Sequence, residues 1–163
     1  MEPALPSEEE AKLVVEETIK RSTLYSENDF IEVDVLSGED FYEVGVLYSP
    51  ARASKKVVTN FDEFQREQEA NPPNIAYFSL ELHLKGEGYT KRGTAELFIG
   101  VPEDFQGKGN GKTLVQIAED ISRNLGLDRI QSMFRVDYEE RSFLEKQKLG
   151  YSFDDDRYAY KEF

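Results

Sequence analysis

A glycine-rich loop between a strand and a helix is the feature that most limits what this chain can fold into. Residues 95–101 alternate apolar and mixed positions and stop at Pro102, as a strand does. After the loop, apolar residues recur at three- and four-residue steps up to Gly126, which supplies a C-terminal cap. The apolar positions of that predicted helix are Leu114, Ile117, Ala118, Ile121 and Leu125. A strand that runs through glycines directly into a helix is an arrangement that holds phosphate.

The loop glycines are Gly107, Gly109 and Gly111. Because glycine lacks a Cβ atom, the backbone can curl tightly, point successive N–H groups at one anion and approach it closely. The positive end of the helix dipole adds to this attraction, and so does Lys112 in the first turn. Flexible hairpins and other helix entries also use glycine, so the residue order around the loop has to decide between these interpretations.

Two blocks of sequence resemble the GNAT superfamily, the acetyl-CoA-dependent N-acyltransferases. The first is the string Gln106-x-x-Gly109-x-Gly111, which is similar to the acyl-CoA-binding motif of that family. The second covers residues 139–151 and is similar, without gaps, to its last helix, Asn-x-x-Ala followed by Tyr-x-Lys-Leu-Gly-Phe. The resemblance covers about residues 94–153. It implies an α/β fold (mixed α+β): a mixed, mostly antiparallel sheet of about six or seven strands with helices on both faces.

The resemblance also implies a cofactor site for acetyl-CoA. Its pyrophosphate would lie on the loop backbone, and a backbone N–H of the preceding strand would polarise the thioester carbonyl where the sheet splays open. Gly100 is consistent with a bulge at that point, or equally with a glycine tolerated in a core strand. The implied cofactor-binding residues are Ile99, Val101, Gln106, Gly107, Lys108, Gly109, Asn110, Gly111 and Lys112.

The reaction that the resemblance implies is direct attack of a primary amine, on a small molecule or peptide, on the thioester. Glu96 is the first candidate base, because some family members carry a base on this strand, although it also suits a solvated strand face. His83 on the neighbouring strand is the alternative base or a plain surface residue. A general acid would protonate the leaving thiolate, and the ungapped match puts Lys146 where the family has tyrosine for this role. Tyr138, which flanks the helix, is the other candidate acid. The predicted catalytic residues are Glu96, Lys146 and Tyr138.

Two other functions remain open. Lys146 and Glu139 replace the family's tyrosine and asparagine, which motivates a CoA-binding module that is catalytically weak or inactive. Residues 109–113, Gly-Asn-Gly-Lys-Thr, end like a nucleotide triphosphate loop. That pattern requires glycine five residues before Gly111, where this chain has Gln106, and it needs a parallel sheet.

Alternation and capping patterns predict the other elements. Ser7 with Glu10 and Asn60 with Glu63 are typical of helix starts. The predicted helices follow Ser7, run from Asn60 to about Ala70 and cover 138–149; the predicted strands cover 30–36, 41–48, 75–85, 95–101 and 130–136, with a strand pair in 151–163. In 75–85, even-numbered apolar residues alternate with Tyr77, Ser79, Glu81 and His83, which predicts a half-buried strand. Residues 86–93 would turn it into the next strand.

Composition limits the partners. The chain has 163 residues, 39% of them hydrophobic, so we expect one domain over 1–163, with 94–163 binding the cofactor and 1–93 on the acceptor side. Lys and Arg number 20 against 33 Asp and Glu, a net charge of −13, which argues against nucleic acid and favours a cationic acceptor. Acidity alone also suits solubility.

Single residue types exclude further classes. The chain has no cysteine, and its one histidine excludes a multi-histidine centre, so we expect no metal. The start of the chain lacks the basic and apolar regions of a signal peptide, and no segment reaches transmembrane length. We therefore expect a cytoplasmic protein without a membrane partner. A homodimer would follow family habit.

Overall fold

The computed structural model describes residues 4–88 and 92–163 of the chain. Two segments lie outside the described residues: 1–3 and 89–91. The first belongs to the N-terminal region from which we expect no signal peptide, and the second belongs to the predicted turn of residues 86–93. The strands are β1 Phe30–Ser37, β2 Tyr42–Ser49, β3 Tyr77–Lys85, β4 Thr94–Gly100, β5 Arg129–Ser132, β6 Ser152–Phe153 and β7 Ala159–Glu162. The α-helices are α1 Glu8–Lys20, α2 Phe61–Glu69, α3 Asn110–Asn124 and α4 Tyr138–Lys146. No helix in the described ranges has the length and apolar character needed to cross a membrane.

The seven strands form one sheet in the order β1-β2-β3-β4-β5-β7-β6. Among the described strands, only β4 and β5 run parallel, because α3 lies between them in the chain and carries it back across the sheet. The other neighbouring pairs are antiparallel. The predicted mixed, mostly antiparallel sheet is therefore confirmed, and the strands of the described residues do not form the parallel sheet that a nucleotide triphosphate loop needs.

Helices cover both faces of the sheet. On one face, α1 and α3 bury apolar residues such as Val15 and Ile121 against Leu80 and its neighbours in a continuous core. On the other face, Phe64 of α2 packs on Tyr77, with ring centroids 5.4 Å apart. Tyr77 and Leu80 lie on opposite faces because side chains alternate along a strand.

Two residues on the odd-numbered face of β3, Tyr77 and His83, are more buried than the alternation predicts, whereas Glu81 and Lys85 on that face are exposed. Tyr77 is 7% exposed and His83 is 9% exposed, whereas the sequence predicts a half-buried strand. Phe64 covers the first of them, and carboxylates surround the second. Sequence alternation identifies the two faces but not what packs on the polar one.

Two element ends differ from the prediction. The helix expected over 138–149 ends at Lys146, because Lys148 adopts a left-handed φ of 53° and the chain turns there. The strand expected over 130–136 is β5, which ends at Ser132. The amide of Val136 already donates to the carbonyl of Arg157, beside a different part of the chain. This early departure of β5 shapes the site described below.

A buried ion pair ties the last strand to α3. Lys161 Nζ lies 2.6 Å from Glu119 Oε1, and the Glu119 side chain is only 3% exposed. We expect Lys161→Met to destabilise the protein by about 3 kcal/mol, because it leaves a buried carboxylate without its closest cation. The melting temperature should fall by roughly 6–12 °C in a thermal denaturation scan.

The control for this change is Lys12→Met. Lys12 pairs with Glu8 at 3.1 Å, but both side chains are about half exposed. Exposed pairs of this kind contribute at most about 1 kcal/mol. Equal melting temperatures for the two variants would contradict the structural role of the Lys161–Glu119 pair.

Candidate functional site

The sheet opens between β4 and β5. Pairing of β4 with β3 continues to its last residue, Gly100, which lies opposite Tyr77. Pairing with β5 stops at Leu97, whose carbonyl accepts the amide of Met133 at 2.8 Å. Because backbone groups alternate sides along a strand, Ile99 turns its N–H and C=O to the same side as Leu97, into the opening. An extended part of a ligand could therefore form hydrogen bonds with the backbone of Ile99 at this free edge of β4.

The loop after β4 leads directly from this opening to the start of α3. A short 3-10 turn, Glu103–Phe105, precedes it. Gly107 and Gly109 then adopt left-handed φ angles of 75° and 83°, which residues with a Cβ atom adopt only with strain. The loop residues 106–109 are exposed to solvent. The N–H of Gln106 donates to the carbonyl of Glu103 at 3.2 Å, so the loop N–H groups that could bind an anion are those of residues 107–109.

The first turn of α3 has no side-chain cap. Its N-cap residue, Gly109, has no side chain to accept a hydrogen bond. The other three described α-helices are capped by the side chains of Ser7, Asn60 and Asp137. The first N–H groups of α3 therefore lack a partner of that kind, and the helix dipole makes them attractive to a phosphate.

Two amide side chains brace the loop. Gln106 Nε2 donates to the carbonyl oxygen of Val101 at 3.0 Å, and Asn110 Nδ2 donates to that of Phe105 at 2.9 Å. Lys108 Nζ lies 5.4 Å from the centre of the Phe105 ring. These two hydrogen bonds fix the conformation of the loop at its start and at the beginning of α3.

Gly111 permits close packing of α4 against α3. A Cβ atom there would lie 3.1 Å from Cζ of Phe143. Phe143 also lines an open depression along α4 that contains Tyr138 and Lys146, together with Glu139, Ser142 and Gln147. The structure thus brings the two candidate acids to one face of α4, beside the start of α3. Lys146 is exposed and Tyr138 is 85% exposed.

Gly100 does not form the bulge considered from the sequence. The β3–β4 register runs without a shift from the Tyr77–Gly100 pair to the Leu82–Ala95 pair. A Cβ atom on Gly100 would instead lie 2.7 Å from Cε1 of Tyr77. Glycine is required because the buried Tyr77 ring covers the strand at this point.

We therefore expect Gly100→Ala to destabilise the protein by about 1–3 kcal/mol, the usual cost of overpacking a core, in chemical denaturation. The matched control is Gly45→Ala on β2, where the nearest atom to a new Cβ is 3.9 Å away. That change should be neutral or stabilising by about 0.5 kcal/mol, because alanine loses less backbone entropy than glycine. A harmless Gly100→Ala would show that the Tyr77 ring can move aside.

The two candidate bases lie together on the sheet face opposite α3. Antiparallel register puts Glu81 directly across from Glu96, and His83 follows two residues later on the same face. His83 Nε2 lies 2.9 Å from Glu96 Oε1, and His83 Nδ1 lies 3.2 Å from Glu43 Oε1. We call these four residues, Glu43, Glu81, His83 and Glu96, the His83 cluster.

Glu96 occupies a position next to the opening. It directly precedes Leu97, the last residue of β4 that pairs with β5. Its side chain is 24% exposed and that of His83 is 11% exposed, so neither is the fully solvated surface residue considered from the sequence. Lys146 and Tyr138, by contrast, line the depression along α4. Glu43 was missed because only the β2–β3 register reveals it, 40 residues away in sequence.

Comparison with known proteins identifies a family for this chain. A family model described as the acetyltransferase (GNAT) family matches residues 62–151. No curated protein matches the chain significantly. Solved structures similar to it include an archaeal Elp3 from Methanocaldococcus infernus with an N-terminal deletion, at 16% identity and a TM-score of 0.45 over 84% of this chain. The chain spans only 30% of that Elp3 chain.

Two shorter proteins are also similar. The GNAT domain of S. lividans PAT is 12% identical, with a TM-score of 0.43 over 85% of this chain and 99% of that domain. The protein smu.2055 from Streptococcus mutans UA159 is 15% identical, with a TM-score of 0.39 over 99% of both chains.

Proposed function

Because this chain belongs to the acetyltransferase (GNAT) family, we propose that it transfers an acetyl group from acetyl-CoA to the primary amine of a small molecule or peptide. One observation carries the proposal: the uncapped start of α3 lies at the end of a glycine loop that begins at the β4–β5 opening. The start of a helix binds phosphate, and an unpaired strand edge binds an extended chain. An extended cofactor with a phosphate group at one end could therefore use both features.

The cofactor would bind in two parts. The backbone N–H groups of residues 107–112 would hold the pyrophosphate, with Lys108 or Lys112 near its phosphates. The pantetheine arm would extend along the free edge of β4 as an added strand does. The N–H of Ile99 would then point at the thioester carbonyl and stabilise the negative charge that develops on its oxygen.

The His83 cluster would supply the base. Glu96 takes a proton from the attacking amine, directly or through a water molecule, while the neighbouring His83 ring orients the carboxylate. The amine nitrogen forms a bond to the carbonyl carbon, and the carbon–sulfur bond breaks. The sulfur leaves as a thiolate and takes a proton from Lys146 or from water.

The acceptor we propose is a cationic amine, such as a diamine or a lysine-containing peptide. The cluster has three carboxylates around one histidine, and the chain as a whole carries a charge of −13. Such a field raises the local concentration of cations. The experiment that tests the function is release of free CoA thiol from acetyl-CoA with a panel of amines, in which cationic acceptors should be used and neutral amines used poorly.

The general acid, Lys146, contributes little to the rate of the proposed reaction. We expect Lys146→Ala to lower kcat by no more than about tenfold, because a thiol with a pKa near 8.5 is a good leaving group without protonation. Initial rates at saturating acetyl-CoA measure this, and Lys146→Tyr, the family's residue, should equal or exceed the parent rate. A thousandfold loss in Lys146→Ala would instead identify Lys146 as an essential acid.

The second candidate function is acyl-CoA binding without transfer. The exposure of both Lys146 and Tyr138 favours it, because neither hydrogen donor is held in a buried position. Steady thiol release that depends on any amine acceptor would exclude this alternative.

A further inference from the structure

Three side chains of the His83 cluster converge on one point. One carboxylate oxygen each from Glu81 and Glu96 and one ring nitrogen of His83 lie within 4.8 Å of one another. His83 Nε2 is 2.9 Å from Glu96 Oε1 and 3.9 Å from Glu81 Oε2. Nitrogen and oxygen ligands that lie about 2.0–2.2 Å from one zinc ion are themselves about 3–4 Å apart. Only small movements of the three side chains would bring these atoms to coordination distance from one ion.

The convergence is built into the sheet rather than into flexible loops. Glu81 and His83 share a face of β3 because they are two residues apart, and Glu96 is the direct cross-strand partner of Glu81. The His83 side chain is 11% exposed, so its ring is held in place by its surroundings. Rigid strands position metal ligands better than loops do.

The histidine ring is also oriented as in metal centres. Glu43 Oε1 lies 3.2 Å from Nδ1 and can accept a hydrogen bond from an N–H at that position, and a carboxylate placed in this way fixes the tautomer of metal-bound histidine. In the tautomer with its proton on Nδ1, Nε2 is directed at the carboxylates of Glu81 and Glu96, so one nitrogen and two oxygen ligand atoms face a common point.

We propose that Glu81, His83 and Glu96 bind one divalent first-row metal ion, with Zn²⁺ held more tightly than Mn²⁺ and with Glu43 fixing the histidine tautomer. A mixed imidazole and carboxylate set suits such ions, whereas Mg²⁺ prefers oxygen ligands alone. Three protein ligands leave a fourth position for water. The single histidine excludes a multi-histidine centre, but this site needs only one.

The bound ion would occupy the Glu96 oxygen that the proposed base uses, so Zn²⁺ would inhibit acetyl transfer. The metal site itself does not depend on the transfer reaction. Failure to find an acceptor amine would leave the metal measurement unaffected, so the two proposals fail separately.

The test is a titration of the full chain with ZnCl₂ after chelator treatment, followed by calorimetry and by NMR of the imidazole. Because His83 is the only histidine, its ring signals need no assignment. We expect one strong site per chain and a new set of ring signals at one equivalent. His83→Gln should weaken binding by about 100-fold or more, and Glu43→Gln by about 10–100-fold.

The controls separate a built site from a generally acidic surface. Glu27→Gln changes an exposed carboxylate and should leave the affinity unchanged. Glu81→Gln and Glu96→Gln should each weaken binding about as much as His83→Gln, and they serve the same purpose if that variant fails to fold. Unchanged ring signals at saturating Zn²⁺, or equal affinity in the parent and in all three ligand variants, would overturn the proposal.

Discussion

Gly109→Asp should weaken acetyl-CoA binding by about 100-fold while the protein stays folded. The new carboxylate would stand at the start of α3, where it can accept the same N–H groups that we assign to the pyrophosphate. It would also repel the phosphates. Loss of hydrogen bonds to a charged group costs about 1.5–3 kcal/mol, and repulsion adds to this loss. Isothermal titration calorimetry measures the change.

The chain offers a closely matched control in Gly88→Asp. Gly88 and Gly109 both have a φ of 83°, and a Cβ atom on either meets no atom within 4 Å. Both changes therefore introduce the same backbone strain and the same charge. If Gly88→Asp weakened acetyl-CoA binding as much as Gly109→Asp, the effect would come from net charge or folding rather than from the loop.

Glu96→Gln should lower kcat by about 10²–10³-fold and leave the affinity for acetyl-CoA unchanged. Glutamine keeps the size of the side chain but cannot take a proton from the amine, and a general base contributes about 10²–10⁴-fold to a rate. Steady-state rates of thiol release with a saturating amine measure kcat. If Glu96 and His83 act as a unit, adding His83→Gln to Glu96→Gln should cause little further loss.

Glu32→Gln is the control for Glu96→Gln. Glu32 is also a partly buried strand glutamate, and burial raises the pKa of its carboxyl, but it lies on β1, away from the opening. It should leave kcat unchanged. Equal losses in the two variants would mean that Glu96 has no special role and that the base lies elsewhere.

The sequence predicts those helices and helix ends that depend on residues close to one another in the chain. The caps at Ser7 and Asn60 accept the hydrogen bonds expected of them, because each needs only a partner three residues away. α3 begins after the glycine loop and ends before Gly126, whose φ is 79°. Apolar periodicity and glycine placement are enough to predict such a helix.

Features that depend on distant contacts could not be predicted in this way. The reason for Gly100 is the Tyr77 ring on another strand, and the His83 cluster needs the registers of three strands. The opening exists because β5 ends at Ser132, although apolar residues continue beyond it. Each of these features depends on contacts between residues that are distant in the chain, and such contacts cannot be predicted from the local pattern of a single sequence.

The proposal that the glycine loop binds acyl-CoA is tested most directly by the melting temperature of the parent protein with saturating acetyl-CoA, CoA or Mg-ATP. A ligand at one hundred times its dissociation constant stabilises the folded state by about 2.7 kcal/mol. For a chain of this size we expect a rise of roughly 5–11 °C with acetyl-CoA and with CoA, and none with Mg-ATP. A rise with Mg-ATP alone, or no rise with acetyl-CoA, would contradict the assignment.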